Sequence, residues 1–226
     1  MKPGARALGV AESFDGDRST LAGAVVRASR VVEDLAFAEC AVGGSDATDA
    51  VVSLYADVDR EDVQYVLVAG IAPAWFNVVD LRTVARETDR PALSVSFEDS
   101  PGLSAAIERE FSDAARDRRL ATYRDQPPRR RIVVGDGRGD GGGAGDVGEG
   151  DADGSDDGDH GTAVWVRGVG RDGRDAAEHP DLDLADVVRS FTPAGWHRPE
   201  PLRVAKVAAR AGDAFRRDLL DGGRVE

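Results

Sequence analysis

The spacing of apolar positions along the chain changes character twice. Arg6 to Val10, Leu21 to Ala28 and Val31 to Cys40 are apolar runs joined by short polar turns, which predicts three strands, the second and third as a hairpin. Helical and strand patterns then alternate. Ser45 or Asp46 opens a helix through Val58, Val63 to Gly70 is a buried apolar strand, and Asn77 to Thr88 is helical. Pro91 to Ser96 is another strand, and a helix follows from Pro101. Near the end come a strand at Thr162 to Arg167, a short helix from Leu184 and a closing helix from Glu200 to about Leu220. In that last helix Val204, Ala208, Ala211 and Phe215 share one face and Arg203, Lys206, Arg210 and Arg217 another. Three antiparallel strands followed by helix-strand-helix-strand predict an α/β fold: a mixed sheet with helices on both faces.

One segment breaks this order. Between Gly135 and Gly161 lie twelve glycines and nine acidic residues against the single Arg138. So little apolar surface cannot offset the entropy of ordering, which predicts a disordered insert at 135–161 between a core at 1–134 and a completing segment at 162–226 of the same domain. Its aspartates do not form a calcium loop: counting from Asp151, the sixth and twelfth positions hold Asp156 and Thr162 instead of glycine and an acid.

Composition adds further constraints. A length of 226 residues with 41% hydrophobic content is enough for one buried core. The formal net charge of −13 argues against a surface that is basic throughout, so any nucleic-acid site is local. Only Lys2 and Lys206 of the 29 basic residues are lysines, and this acidic, lysine-poor balance points to a high-salt cytosol. Cys40 is the single cysteine and His160, His179 and His197 are scattered, so neither a disulfide nor a thiolate zinc site is expected and any metal would take oxygen ligands. Without a long apolar stretch, no signal peptide or membrane span is expected, which implies a cytoplasmic protein.

Four segments in order carry a family resemblance: Leu8-Gly9-Val10-Ala11-Glu12-Ser13, Gly43-Gly44-Ser45-Asp46-Ala47-Thr48, Ala69 through Asp80 with its Phe76-Asn77-Val78-Val79-Asp80 run, and Pro199-Glu200-Pro201-Leu202-Arg203-Val204-Ala205. They resemble the archaeal endonuclease dU family, which is similar to endonuclease V. The resemblance implies a ribonuclease H-like fold and Mg²⁺-dependent phosphodiester hydrolysis, with Mn²⁺ as a substitute, in DNA containing deaminated or modified bases such as deoxyuridine or deoxyinosine. It also implies a role in DNA repair. Single-stranded DNA or damaged duplex would be the partner, and a homodimer is admitted as well.

By the same resemblance, Glu12 takes the first acidic place, with Ala11 where the family commonly has a neighbouring aspartate, and Asp46 takes the second. Both are candidate catalytic residues and Mg²⁺ ligands, since a hard cation needs only one or two carboxylates when water and phosphate complete its octahedron. The third acidic place is Ala69, and Ser96-Phe97-Glu98 stands where relatives tend to carry a basic residue. These departures define the alternative, a catalytically weakened family member acting as a nucleic-acid- or protein-binding module.

Candidate nucleic-acid contacts are Trp75 and Phe76, which offer rings for an unpaired base, with Asn77 and Asp80 beside them. Arg118 and Arg119 come from the arginine-rich stretch Arg109 to Arg131, and Arg203 from the closing helix. Each has a purely structural counterpart: Asp46 as a helix cap, Glu12 as a solvated strand end, the two rings as core plugs, Asp80 as a solvated helix position and the arginines as members of intrahelical ion pairs. Deleting Gly137 to Asp159 should leave the fold intact, seen as an unchanged melting temperature; a large drop would mean that these acids bind ions structurally.

Overall fold

The structure, a computed structural model, describes residues 1–135 and 161–222, so nearly all of the Gly/Asp-rich insert lies outside the described residues. Seven strands form one sheet in the order β3-β2-β1-β4-β5-β7-β6. They are β1 (Arg6–Asp15), β2 (Arg18–Arg27), β3 (Val32–Ala41), β4 (Tyr65–Ala69), β5 (Ala92–Ser96), β6 (Arg130–Val134) and β7 (Thr162–Val169). The first three run antiparallel, β4 and β5 add parallel to β1, and β7 and β6 close the other edge antiparallel. This is the expected mixed sheet.

The first hairpin is tighter than its sequence suggested. Asp15 pairs with Arg18, leaving only Gly16 and Asp17 in the loop. Gly16 has φ +78° and Asp17 does not have positive φ, the pattern of a type II′ turn that suits the twist of its strands. Val134 pairs with Thr162, so the ends of the insert are the two sides of a β6–β7 hairpin. Strand β6, the Arg130-Arg131-Ile132-Val133-Val134 run, is an element that the apolar pattern did not predict.

Helices α1 (Ala47–Val58), α3 (Leu81–Thr88), α4 (Ser104–Glu110) and α5 (Asp113–Asp125) cover one face, where Leu8, Val10, Leu54, Val68 and Val84 form a single core cluster. On the other face, α6 (Leu184–Phe191) and α7 (Glu200–Gly222) pack through Leu184, Phe191, Leu202 and Ala205. The helix expected from Pro101 is divided at Phe111 and Ser112, with Asp113 at φ +50° opening the second piece. The segment Asn77 to Asp80 is extended instead of helical, and α3 begins at Leu81, capped by Asp80. Burial on both faces explains why β2 reads as nearly continuous apolar sequence. No helix among the described residues is long and apolar enough to cross a membrane.

Contact between β1 and α7 depends on one glycine. A Cβ at Gly9 would overlap the backbone carbonyl of Pro201, so only glycine lets the start of α7 lie against β1. Gly9→Ala should therefore lower unfolding free energy by about 1–3 kcal/mol, as overpacking does. Gly4→Ala, which meets nothing within 4 Å, should leave it unchanged in the same denaturant titration.

Candidate nucleic-acid interface

At the carboxyl ends of β1, β4 and β5 lies a cavity of about 370 Å³. Parallel strands place their loops at that edge, which is where open α/β sheets bind ligands. Its lining includes Ala11, Glu12, Ala69 and Gly70 from β1 and β4, Phe97 and Glu98 after β5, and the cationic side chains of Arg129, Arg167, Arg198 and Lys206. In a chain of net charge −13 these four cations gather into a locally basic wall.

Glu12 is held firmly. Its Oε2 accepts from the Ser19 hydroxyl at 2.8 Å and from the Ala74 N–H at 2.9 Å. The second bond steadies a strained turn, α2 (Pro73–Phe76), in which Ala74, Trp75 and Phe76 all have positive φ of 48–58°. Non-glycine residues resist that conformation by roughly 1 kcal/mol or more each, and it persists where surrounding bonds impose it. Here Gly43 N donates to Ala74 O at 2.7 Å, Asn77 N to Pro73 O at 3.0 Å and Arg119 Nε to Phe76 O at 3.2 Å. The turn leaves Trp75 51% exposed, while the Phe76 ring packs edge-on to Trp75 and to Phe111.

Asp46 lies on the same face and at the same sheet end as Glu12, both carboxylates acting on the intervening Cys40 thiol, which burial pushes up to about 12 with their help. Its carboxylate, however, turns inward. It accepts from Ala41 N at 3.1–3.2 Å and from Asn77 Nδ2 at 2.7 Å, and it does not cap α1. Asn77 performs that capping instead, its Oδ1 accepting from Ala47 N at 2.9 Å, and its Nδ2 also reaches Ala41 O at 3.0 Å. Asp46 is not among the residues lining the cavity.

The structure engages several of the expected contacts within the protein and rules out Asn77. Asn77 is fully buried with its amide committed to the protein, so it cannot touch a nucleic acid. Asp80 is the N-cap of α3, accepting from Arg82 N, Thr83 Oγ1 and Gln126 Nε2. Burial opposes its ionisation, but these bonds outweigh it and hold the carboxyl below its ordinary value. Arg119 is buried, stacks over Phe111 with Cζ 3.9 Å from the ring centroid and donates to the carbonyls of Gly43 and Gly44. It is a clamp, and burial holds its guanidinium below the usual arginine value. Arg203 is engaged by Glu200 at 2.6–2.7 Å. Of the arginine-rich stretch, Arg109, Arg116 and Arg124 form ion pairs with Glu110, Asp117 and Glu108, as a solvated helix does, whereas Arg118 stays exposed beside a second cavity with Thr48 and Asp80.

Sequence reasoning had Arg129 only as part of the Arg109 to Arg131 stretch and did not single out Arg167, Arg198 or Lys206, which line the main cavity with it. Lys206 Nζ donates to Glu12 O at 2.5 Å; burial lowers its ammonium pKa, against the raising field of Glu12. Arg198 stacks over Phe97 with Cζ 4.1 Å from the centroid. Lys206 is one of only two lysines and had been placed on the charged face of its helix, which was the available signal.

The donor set limits what metal could be held. Glu12 directs its protein bonds to Oε2, leaving Oε1 for a hydrated ion, so one Mg²⁺ fits with water and phosphate oxygens as the remaining ligands. A two-ion centre does not fit. Among the described residues no group of three His, Cys, Asp or Glu side chains could hold a metal. Ala11 and Ala69 share one small apolar cluster with Val204 and Ala205, so two of the places expected to be acidic are adjacent methyl groups.

Comparison with known proteins accords with this geometry. The chain is similar to a UPF0215 protein of Thermococcus kodakarensis, 28% identical over 220 residues and covering 93% of each chain. Among solved structures it resembles a protein of unknown function from Archaeoglobus fulgidus at TM-score 0.65 and 21% identity, over 92% of this chain and 97% of the other. It also resembles endonuclease V of Ciona intestinalis, solved with a 24mer DNA containing an inosine followed by a ribo-adenosine. That match has TM-score 0.50 and 10% identity, over 92% of this chain and 85% of the other. The fold is ribonuclease H-like, in the arrangement of endonuclease V. Residues 3–139 match the endonuclease dU family, and the chain belongs to it.

Asn77→Ala should destabilise the protein by about 1–3 kcal/mol, because it strands the buried Ala47 N–H and removes the donor to Asp46. Denaturant unfolding measures this, and a change within error would show that water replaces the amide.

Proposed function

We propose that this cavity hydrolyses phosphodiester bonds in DNA carrying deaminated or modified bases, deoxyuridine or deoxyinosine, with Mg²⁺ or Mn²⁺ as cofactor, in cytoplasmic DNA repair. The observation that carries the reading is Glu12: a carboxylate fixed through one oxygen and free through the other, in a cation-lined cavity at the carboxyl edge of a ribonuclease H-like sheet. Glu12 would hold the ion, with Asp46 as a second carboxylate once its bonds to Ala41 and Asn77 are released. Lys206 and Arg198 would neutralise phosphoryl oxygens, Trp75 would stack an unpaired base and Arg118 would meet the backbone. Bound there, Mg²⁺ supplies Lewis-acid stabilisation of charge on the phosphate. The damaged duplex supported by this reading is one whose base is already poorly stacked, since extruding it is then least costly.

A second reading, a catalytically weakened nucleic-acid- or protein-binding member of the family, is favoured by Ala11 and Ala69, which leave the cavity one carboxylate short of even a two-acid edge on β1 and β4. The two readings separate in one assay. Purified protein at high salt should cleave a duplex containing deoxyuridine or deoxyinosine only with Mg²⁺ or Mn²⁺ present, and Glu12→Gln should slow that cleavage about 100-fold or more. No cleavage by the native chain, with cleavage gained on Ala69→Asp alone or together with Ala11→Asp, establishes the weakened reading. Cleavage that Glu12→Gln leaves untouched removes Glu12 from the chemistry.

A further inference from the structure

Away from Glu12, the cavity wall carries two arginines, Arg129 and Arg167, that no carboxylate among the described residues pairs with. Arg167, on β7, is only 9% exposed. Its guanidinium donates to the carbonyl of Pro127 and, at 3.0 Å, to the Tyr123 hydroxyl. Arg129 donates to the carbonyls of Ser100 at 2.7 Å and Glu98 at 3.3 Å, and its buried Nε has no partner among the described residues. Both line the cavity of Glu12 and an adjoining one that extends to Trp165. Glu98 also lines the main cavity, yet among the described residues its carboxylate forms no ion pair with either arginine.

This arrangement leaves charge uncompensated. Carbonyls and a phenol satisfy N–H groups but carry no net charge, so two neighbouring cations persist in a partly dehydrated site. Burial lowers the Arg167 pKa, Tyr123 raises it, and the field of Arg129 lowers it further. Arg6, Arg27 and Arg60 converge on Glu33 and Arg216 meets Asp213, whereas Arg119 and Arg30, like Arg129 and Arg167, donate to carbonyls; of these four, Arg129 and Arg167 are the pair that lines the cavity of Glu12. With 42 acidic residues against 29 basic ones, carboxylates are not scarce.

The guanidinium groups are also fixed in place. Arg167 Cζ lies 4.9 Å from the Tyr123 ring centroid and Arg129 Cζ 5.5 Å from that of Trp165. Stacking and carbonyl bonds fix two planar forks whose geometry suits phosphate oxygens, so little freedom is lost when one binds.

We propose that Arg129 and Arg167 form an anion subsite for one phosphate of a nucleic-acid backbone, on the strand bound at Glu12 but away from the bond cut there. The proposal rests on reading the cavity as the nucleic-acid site.

The test uses the full chain with chelator and no added metal, so that binding is measured apart from cleavage. Affinity for a labelled single strand and a labelled duplex is followed over a salt series, and melting temperature is recorded with and without inorganic phosphate. Arg129→Gln, at the half-buried rim, should weaken binding about tenfold and reduce the salt slope by about 1, as loss of one phosphate contact does. Arg129→Lys should keep the slope and recover only part of the affinity, because the fork is lost and the charge retained. Arg167→Gln should act like Arg129→Gln and is scored only when its melting temperature matches the native chain. Phosphate should raise the native melting temperature and not that of Arg129→Gln.

Unchanged affinity and slope in a folded Arg129→Gln overturn the subsite. Protection by phosphate without binding of either oligonucleotide overturns the backbone assignment in favour of a free phosphate. A native chain that binds through Arg129 yet leaves DNA uncut in Mg²⁺ overturns the hydrolysis reading and leaves the subsite standing. Cleavage and binding both indifferent to Arg129→Gln overturn the subsite alone.

Discussion

A primary amide sealed from water must spend both its hydrogens and its oxygen on the protein, and that requirement organises the whole carboxyl edge of this sheet. Asn77 gives its two N–H bonds to Ala41 O and Asp46 and takes the first free N–H of α1 at Ala47. One side chain thus joins the end of β3, the start of α1 and the exit of the Pro73–Phe76 turn. Asp46, released from capping, folds back on the end of β3, so the two residues exchange the roles their positions in sequence suggest.

The turn that precedes Asn77 is the other half of the arrangement. Three successive left-handed residues without a glycine would not persist in isolation. They are held because Glu12, Gly43 and Arg119 each occupy one of the polar groups the turn presents. The same carboxylate therefore supports the backbone through Oε2 while its residue lines the cavity. An exposed Trp75 on a constrained backbone is placed for stacking with little flexibility to lose, which is how aromatic platforms bind bases tolerantly.

Much of this was legible in the sequence and some could not be. The alternation after Ser45 gave the parallel strands and their helices because buried strands and amphipathic helices leave different periods. The segment motifs identified the edge at which Glu12, Asp46 and the Trp75 turn meet. Which way a carboxylate turns is invisible to spacing: Asp46 and Asp80 both precede helices, yet only Asp80 caps. Strand β6 was missed because its outward Arg130 and Arg131 hid a short edge strand. Arg167, Arg198 and Lys206 were missed as cavity cations because they come from β7, the segment before the closing helix and that helix itself, elements whose convergence depends on strand order.

That convergence has a consequence for how the protein comes into being. Lys206 reaches the backbone of Glu12 across 194 positions of sequence, and α7 can seat against β1 only where Gly9 leaves room. Glu12 and the Trp75 turn are made well before Arg198 and Lys206, so a chain stopped ahead of Arg198 carries the carboxylate without two of the cavity's four cations.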